Sequence, residues 1–568
     1  MGTFRSVMMA ALAATCLSPV LAPTLAAAQD RAVAAPEGQP APPPATALPP
    51  TLPDRSADLD RIFAAFARPD GPGCAVSAVQ DGQTLAEQAY GSADLEHDIA
   101  NSPATVFEAG SVAKQVTAAA ILLLARDGRL KLTDEIHRYL PGLPAYGAPV
   151  TIEQLLNHTA GLRDWGELAG MQGWPRSTRA YGQADILDLI QRQKSLNYRP
   201  GAEYNYTNSG YNLLTQIVQA ASGQSLAAFS AARIFQPLGM GQTQWRDDFR
   251  RIVKGRAIAY QRKPASAGGG YEQQMPFEDG YGNGGLLTTV GDLQRWTQAL
   301  ASDALAPGLT ADLQRRGVLN DGTVIPYARG VIVTTWSGVP EVSHSGATAA
   351  YRAWLGRYPD QKLSVAVLCN ASDAPALPLG RAVASLFLPP PPPPAPVQPL
   401  SDLTSRAGLF VNQRTGRPLL LTVDGDSLKV AGGERVWPLT ADSVAYGADV
   451  MVFEGKDAFV LKTFDGNRHR HIRTPLWFPA PDALPAFVGR YYSDEINATY
   501  RVSLEAGKLM LKLESRPQAA VPMGPLYQDA FNLSGNLARF RRDSAGRVTS
   551  LHLGSSRVRD LKFRRIAD

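Results

Sequence analysis

At 568 residues the chain is too long for one ordinary domain, and 45% hydrophobic with 19% charged residues at a formal net charge of +5 excludes a wholly disordered polymer. Three Cys, at Cys16, Cys74 and Cys369, are too few and too scattered for a disulfide scaffold or a structural zinc site. The 44 Pro amount to about 7.7% of the chain against a usual value near 5%, and they are clustered, which points to spacers between folded parts.

In chain order, Arg5, the apolar and Ala-rich stretch Val7 to Leu25 and the small residues Ala26-Ala27-Ala28 read as an export signal over residues 1–28. The mature chain then begins near Gln29, in the periplasm or outside the cell. Pro19 and Pro23 interrupt the apolar run and argue against a membrane anchor, and no later segment approaches the roughly 18 apolar residues a membrane helix needs. Residues 29–54 are a Pro/Ala-rich tether without the periodicity of a core.

The next part, 55–388, mixes strand and helix signals. Cys74 to Gln80 is an apolar strand before the turn Asp81-Gly82, and Val112 to Arg126 is an Ala/Leu-rich helix stopped by Gly128. Thr151 and Gln154 form a capping box for a helix through His158, Asn208 caps a helix through Ala221, and Leu363 to Leu368 is a further strand. Helices inserted among strands at irregular spacing predict an α+β fold.

Pro389 to Pro394, followed by Ala395-Pro396, can enter neither a helix interior nor a central strand, so 389–400 is a linker. After it the pattern changes to short alternating strands with Gly, Asp and Asn turns. Gly408-Leu409-Phe410 and Leu428-Lys429-Val430 recur 81 residues later as Gly489-Arg490-Tyr491 and Leu509-Met510-Leu511, which predicts two small antiparallel β-barrel-like modules, 401–480 and 481–568.

Between Arg539 and Arg565 nine Lys/Arg face two Asp. Their alternation with apolar residues reads as solvated strand faces rather than a nucleic-acid surface, and the surplus is expected to lie away from the chemistry. His469 and His471 flank Arg470 with no carboxylate or Cys at ligand spacing, so they too read as a solvated strand face and no metal is expected.

Ser111-Val112-Ala113-Lys114 opens the Ala-rich helix and sets a hydroxyl beside an amine. A Lys whose pKa is lowered by burial can take the Ser proton, and the helix N-terminus favours a developing oxyanion. Tyr206-Thr207-Asn208, in an extended polar stretch, aims a phenol and an amide the same way, and His344-Ser345-Gly346 follows 138 residues after Tyr206.

The order Ser-x-x-Lys, Tyr-x-Asn, His-x-Gly resembles the penicillin-recognising serine hydrolases, a group of class C β-lactamases, DD-peptidases, D-aminopeptidases and esterases. Flanking segments resemble the family as well: Phe107-Glu108-Ala109-Gly110, Leu155 to Leu162, Gly284 to Thr289 with Asp292, and Val367-Leu368-Cys369-Asn370. The resemblance implies a β-lactamase-like catalytic domain, with a helical cluster on an antiparallel sheet, and Ser111 as an acylated nucleophile without a cofactor. Lys114 and Tyr206 share the proton work, either one being the acylation base; Asn208 binds the substrate amide; and the backbone N–H groups of Ser111 and Ala347 form the oxyanion hole. His344 and Gly346 line the same strand edge.

Most β-lactamases of this group carry Lys where His344 stands, and a neutral His attracts a substrate carboxylate less. The paired C-terminal modules resemble the D-aminopeptidases, in which such domains border the active site. A small D-amino acid peptide or amide is therefore the leading substrate expectation. A carboxylic ester or weak β-lactam hydrolysis is the alternative within the fold, and a non-catalytic muropeptide-binding protein the alternative outside it. The family's sheet pairs its first and last strands, which brings Cys74 near Cys369, as a disulfide or as two buried thiols.

Overall fold

The computed structural model describes residues 54–567 apart from 177, 394, 395, 401 and 434. The expected export signal and most of the expected 29–54 tether lie outside the described residues. No helix among them is long and apolar enough to cross a membrane.

The segment Cys74–Gln80 is apolar at almost every position because both of its faces are covered. Cys74, Val76 and Ala78 join a core with Leu59, Phe63 and Val383 from the helices Ser56–Phe63 and Ala376–Ser385. Ala75 points to the opposite core with Leu293 and Trp296 of the helix Val290–Ala301. In space the sheet runs Ile332–Trp336, Val339–Thr348, Tyr351–Tyr358, Leu363–Cys369, Cys74–Gln80, Gln83–Tyr90, and every neighbouring pair is antiparallel. The first strand in sequence thus lies beside the last. Cys74 sits directly opposite Cys369, and a disulfide joins them.

On the second face lies the helix Lys114–Arg126, buried without interruption from Lys114 to Leu124. A helix covered on all sides belongs in the middle of a core, and Gly128, at a φ of 70°, lets the chain leave it. The helix begins later than the sequence suggests, because Gly110–Ala113 is a 3-10 turn that feeds it. The capping box of Thr151 and Gln154 is present on the helix Ile152–Leu156. The helix Asn208–Ser222 is capped by Thr207, whose hydroxyl accepts from the Ser209 N–H, and not by Asn208, which is its first residue.

Residues 389–400 carry no helix or strand among those described. Two nearly closed antiparallel barrels follow, of eight strands between Gly408 and Arg473 and nine between Gly489 and Ile566. In each the first strand pairs with the last, so both are up-and-down meanders whose seam is opened elsewhere. The 81-residue offset has a structural counterpart. Gly408 and Gly489 open the first strands at φ values of 140° and 150°, and an Arg of the last strand, Arg473 or Arg565, fills the space a Cβ would need. Each Arg donates to backbone carbonyls just before its Gly, Ala407 O in one barrel and Val488 O in the other. His471 is not solvated as the sequence pattern suggested: it is buried and stacked on Phe459 at 4.6 Å, where its ring fills core space.

Candidate active site

The Gly110–Ala113 turn is held from behind by a buried ion pair. Glu108, two residues earlier, accepts from Arg246 Nε at 2.9 Å and from the Gly285 N–H at 3.2 Å, with both charged side chains almost wholly buried. Burial pushes the Glu108 carboxyl up, but Arg246 outweighs it and holds it below its usual range. In front, the strand Val339–Thr348 presses on the turn. A Cβ on Gly110 would stand 2.6 Å from Ala347 N, and one on Gly346 would stand 3.1 Å from Ser111 N. Two glycines therefore let two backbones meet, bringing the Ser111 and Ala347 amides together. The neighbouring strand Ile332–Trp336 ends its pairing at Ser343, which leaves the Ser345–Ala347 edge free to receive a ligand.

Lys114 is fully buried, and its Nζ reaches Ser111 Oγ at 3.0 Å, Asn208 Oδ1 at 3.1 Å and the Asn283 carbonyl at 2.5 Å. Burial, reinforced by the charge of Arg557, holds its pKa well below that of an ordinary lysine. An ammonium would have to donate to all three partners. The neutral amine that burial favours keeps the two carbonyl-type partners and turns its lone pair to Ser111 Oγ. Tyr206 stands beside this pair, with Lys114 Nζ 4.9 Å from its ring centre. Burial pushes the phenol above its ordinary value, outweighing the opposing influence of the nearby Ser111 hydroxyl, and the Tyr206 hydroxyl makes no hydrogen bond of full geometry.

His344 donates from Nδ1 to the Ser345 carbonyl at 2.6 Å, and its Nε2 accepts from the Tyr327 hydroxyl at 3.0 Å. Burial and the neighbouring Lys114 push its pKa down to about 3, so it is neutral at pH 7. All seven residues expected from the sequence thus surround one point, and Ser111, Tyr206, Asn208, His344, Gly346 and Ala347 line a cavity of about 750 Å³.

Several partners escaped the sequence reading. Asp164 caps the helix Trp165–Met171 through Oδ1, while its Oδ2 accepts from Asn208 N at 2.7 Å and Asn208 Nδ2 at 3.1 Å. It thereby orients the Asn208 amide, whose oxygen faces Lys114. Asp164 lies two residues beyond the flanking segment Leu155 to Leu162, and an Asp before an apolar-periodic run is an N-cap signal that marks it. The far wall of the cavity comes from the barrels: Phe464 and Asp465 from the first, Ser556 and Arg557 from the second. The expectation that the basic surplus lies away from the motifs is therefore corrected. The Arg557 guanidinium stands 5.0 Å from the Tyr206 ring centre, because the hairpin that carries it turns inward instead of facing solvent.

Residues 59–386 match the Beta-lactamase family. Among similar proteins, a D-aminopeptidase of Cereibacter sphaeroides (strain KD131) is 28% identical over 544 residues, covering 90% of this chain and 99% of its own. A D-aminopeptidase of Brucella canis is 26% identical over 522 residues, covering 87% of this chain and 96% of its own. Of solved structures, the octameric penicillin-binding protein homologue from Pyrococcus abyssi superposes with a TM-score of 0.53 at 22% identity, over 81% of this chain and 98% of that one. The D-amino acid amidase from Ochrobactrum anthropi SV3 does so with a TM-score of 0.50 at 19% identity, over 58% of this chain and 97% of its own. With the matched segment covering more than half of its residues and containing Ser111, Lys114 and Tyr206, the chain belongs to the β-lactamase family of penicillin-recognising serine hydrolases.

Proposed function

We propose that this hydrolase is an exported D-aminopeptidase that works through an acyl-enzyme on Ser111. One observation carries the mechanism: a fully buried Lys114 whose amine lies 3.0 Å from the Ser111 hydroxyl. Neutral Lys114 takes the Ser111 proton as Oγ bonds to the substrate carbonyl carbon, and the oxyanion settles on the Ser111 and Ala347 amides. The amide C–N bond then breaks. The leaving nitrogen takes its proton from the Tyr206 hydroxyl, which is refilled from the Lys114 ammonium. In the second half water attacks the ester carbon, its proton passes through the same two groups to Ser111 Oγ, and the acid leaves. Lys114 serves as the base and Tyr206 as the relay, because burial favours the neutral amine and opposes the phenolate.

The substrate class is supported by the D-aminopeptidase relatives, which align over nearly their whole length, barrels included. A free α-ammonium needs a carboxylate, and Asp465 of the first barrel lines the cleft. Its Oδ1 is held by the Asn467 N–H at 3.3 Å and Asn467 Nδ2 at 3.0 Å. The Cys74–Cys369 disulfide supports export, since such bonds persist in oxidising compartments.

The purified protein should release p-nitroaniline from D-alanine p-nitroanilide in preference to the L isomer and to short-chain p-nitrophenyl esters, and an activated phosphonate should add its mass to the Ser111 peptide. Ser111→Ala should lower kcat by about 10³-fold or more and abolish the adduct. Turnover that survives Ser111→Ala, or a preference for the esters, overturns the proposal.

A further inference from the structure

The hairpin between the strands Val548–Gly554 and Leu561–Ile566 is pinned to the catalytic part with unusual thoroughness. Glu167 accepts from the hydroxyls of Ser555 and Ser556 and from the Arg557 N–H. Asn197 brackets the tip, donating to the Arg557 carbonyl at 2.9 Å and accepting from the Arg559 N–H at 2.8 Å. Asn205, next to Tyr206, donates to the Ser556 carbonyl at 3.1 Å. The backbone at Arg557 is therefore fixed relative to Tyr206, yet its guanidinium is not used up. It donates no hydrogen bond to any described residue, its side chain is 37% exposed into the cleft, and the nearest carboxylate, Asp164, stands 3.9 Å away. Asp164 is already occupied by Asn208 and by the amides of the helix it caps.

Each of the other cations of the cleft already makes hydrogen bonds within the protein. Lys114 is engaged with Ser111, Asn208 and Asn283, Arg176 pairs with Glu278, and Arg352 Nη1 donates to the carbonyls of Ala349 and Tyr351 at 2.9 and 2.8 Å. His344 is neutral.

If Tyr206 delivers the proton to the leaving nitrogen, that nitrogen must come to the Tyr206 hydroxyl. In a leaving amino acid the carboxylate carbon lies only about 2.5 Å from its nitrogen across one Cα. A C-terminal carboxylate one residue beyond the scissile bond is thereby confined to the neighbourhood of the Tyr206 ring, over which Arg557 stands. We infer that Arg557 forms a carboxylate subsite on the leaving-group side of the cleft, contributed by the last barrel, and that it selects short peptides, dipeptides foremost, ending in a free carboxylate. An Arg fork offers a carboxylate two parallel N–H donors, a geometry that an amide terminus does not match. The inference rests on the aminopeptidase reading and narrows it, from D-amino acid amides in general to zwitterionic dipeptides.

The test compares kcat/KM for D-alanylglycine and for D-alanylglycinamide, which lacks the carboxylate, in the wild type, Arg557→Gln and Arg557→Lys. The wild type should prefer the free acid by about 10- to 100-fold, as a charge-assisted pair predicts. Arg557→Gln should bring the ratio close to one, chiefly through KM, while Arg557→Lys should keep part of it. A purely structural role for Arg557 would lower both rates together and leave the ratio alone. A ratio unchanged in Arg557→Gln, or a wild type that favours the amide, overturns the inference while leaving the aminopeptidase reading intact. Failure of the wild type on both peptides and on D-alanine p-nitroanilide overturns the aminopeptidase reading itself.

Discussion

In the first barrel the hairpin between the last two strands, Ala458–Lys462 and Arg468–Arg473, carries the carboxylate of Asp465 into the cleft. In the second barrel the hairpin at the same topological position carries the guanidinium of Arg557. The two frames are alike down to the Gly–Arg contact that closes first strand on last. The barrels differ by one strand, eight against nine, but at the cleft the difference that matters lies in the hairpin tips, and loops on a rigid scaffold can change chemistry without disturbing the frame. The two barrels thus present two arms to one site, with opposite charges at their ends.

The arms are also attached differently, which makes the comparison testable. The second barrel docks through a buried ion pair: Arg163, 4% exposed, meets Glu495 and also donates to Gln193 and Ser195. The first barrel docks through the amide of Asn467, which donates to the Tyr204 carbonyl at 2.8 Å and accepts from its N–H at 3.0 Å, and through an ion pair whose cation, Arg414, is largely exposed and meets Glu203 at 3.0 Å.

Arg163→Met should produce the largest effect, a loss of about 3–5 kcal/mol in urea unfolding, because Glu495 is left as a buried charge without its partner. Asn467→Ala should cost about 1–3 kcal/mol, the desolvation of two backbone groups of Tyr204. Equal losses from the two would break the distinction between the buried ion pair of the second barrel and the amide contact of the first. The smallest change is expected for Asp465→Asn, which should raise KM for D-alanine p-nitroanilide about tenfold, or about 1.4 kcal/mol, with kcat much less affected. If Asp465→Asn instead weakened the discrimination between D-alanylglycine and its amide, the assignment of opposite substrate ends to the two hairpins would fail.

Much of the catalytic part was legible before any coordinates. Ser111 and Lys114 are three residues apart on a turn entering a helix, so their proximity is a local consequence of spacing. The capping box at Thr151 and the two-sided apolar strand Cys74–Gln80 are of the same kind. The sequence pattern offers Asn208 as a cap, but Thr207, one residue earlier, takes that role with the same chemistry. Alternation with Arg residues makes His471 resemble part of a solvated face, whereas its ring packs on Phe459 inside the barrel.

The sequence alone determined the family, the nucleophile and its amine, and the repeat of two β modules, since each is written in spacings of a few residues or in one constant offset. Tertiary structure alone decided which distant groups close the site. Asp164 orients Asn208, and Arg557 reaches Tyr206 across hundreds of residues of chain, joined only by docking of the second barrel. A net charge counted along a segment records how many cations it holds, but the fold of a six-residue hairpin and the partners that pin it, Glu167 and Asn197, decide which of them meets the substrate.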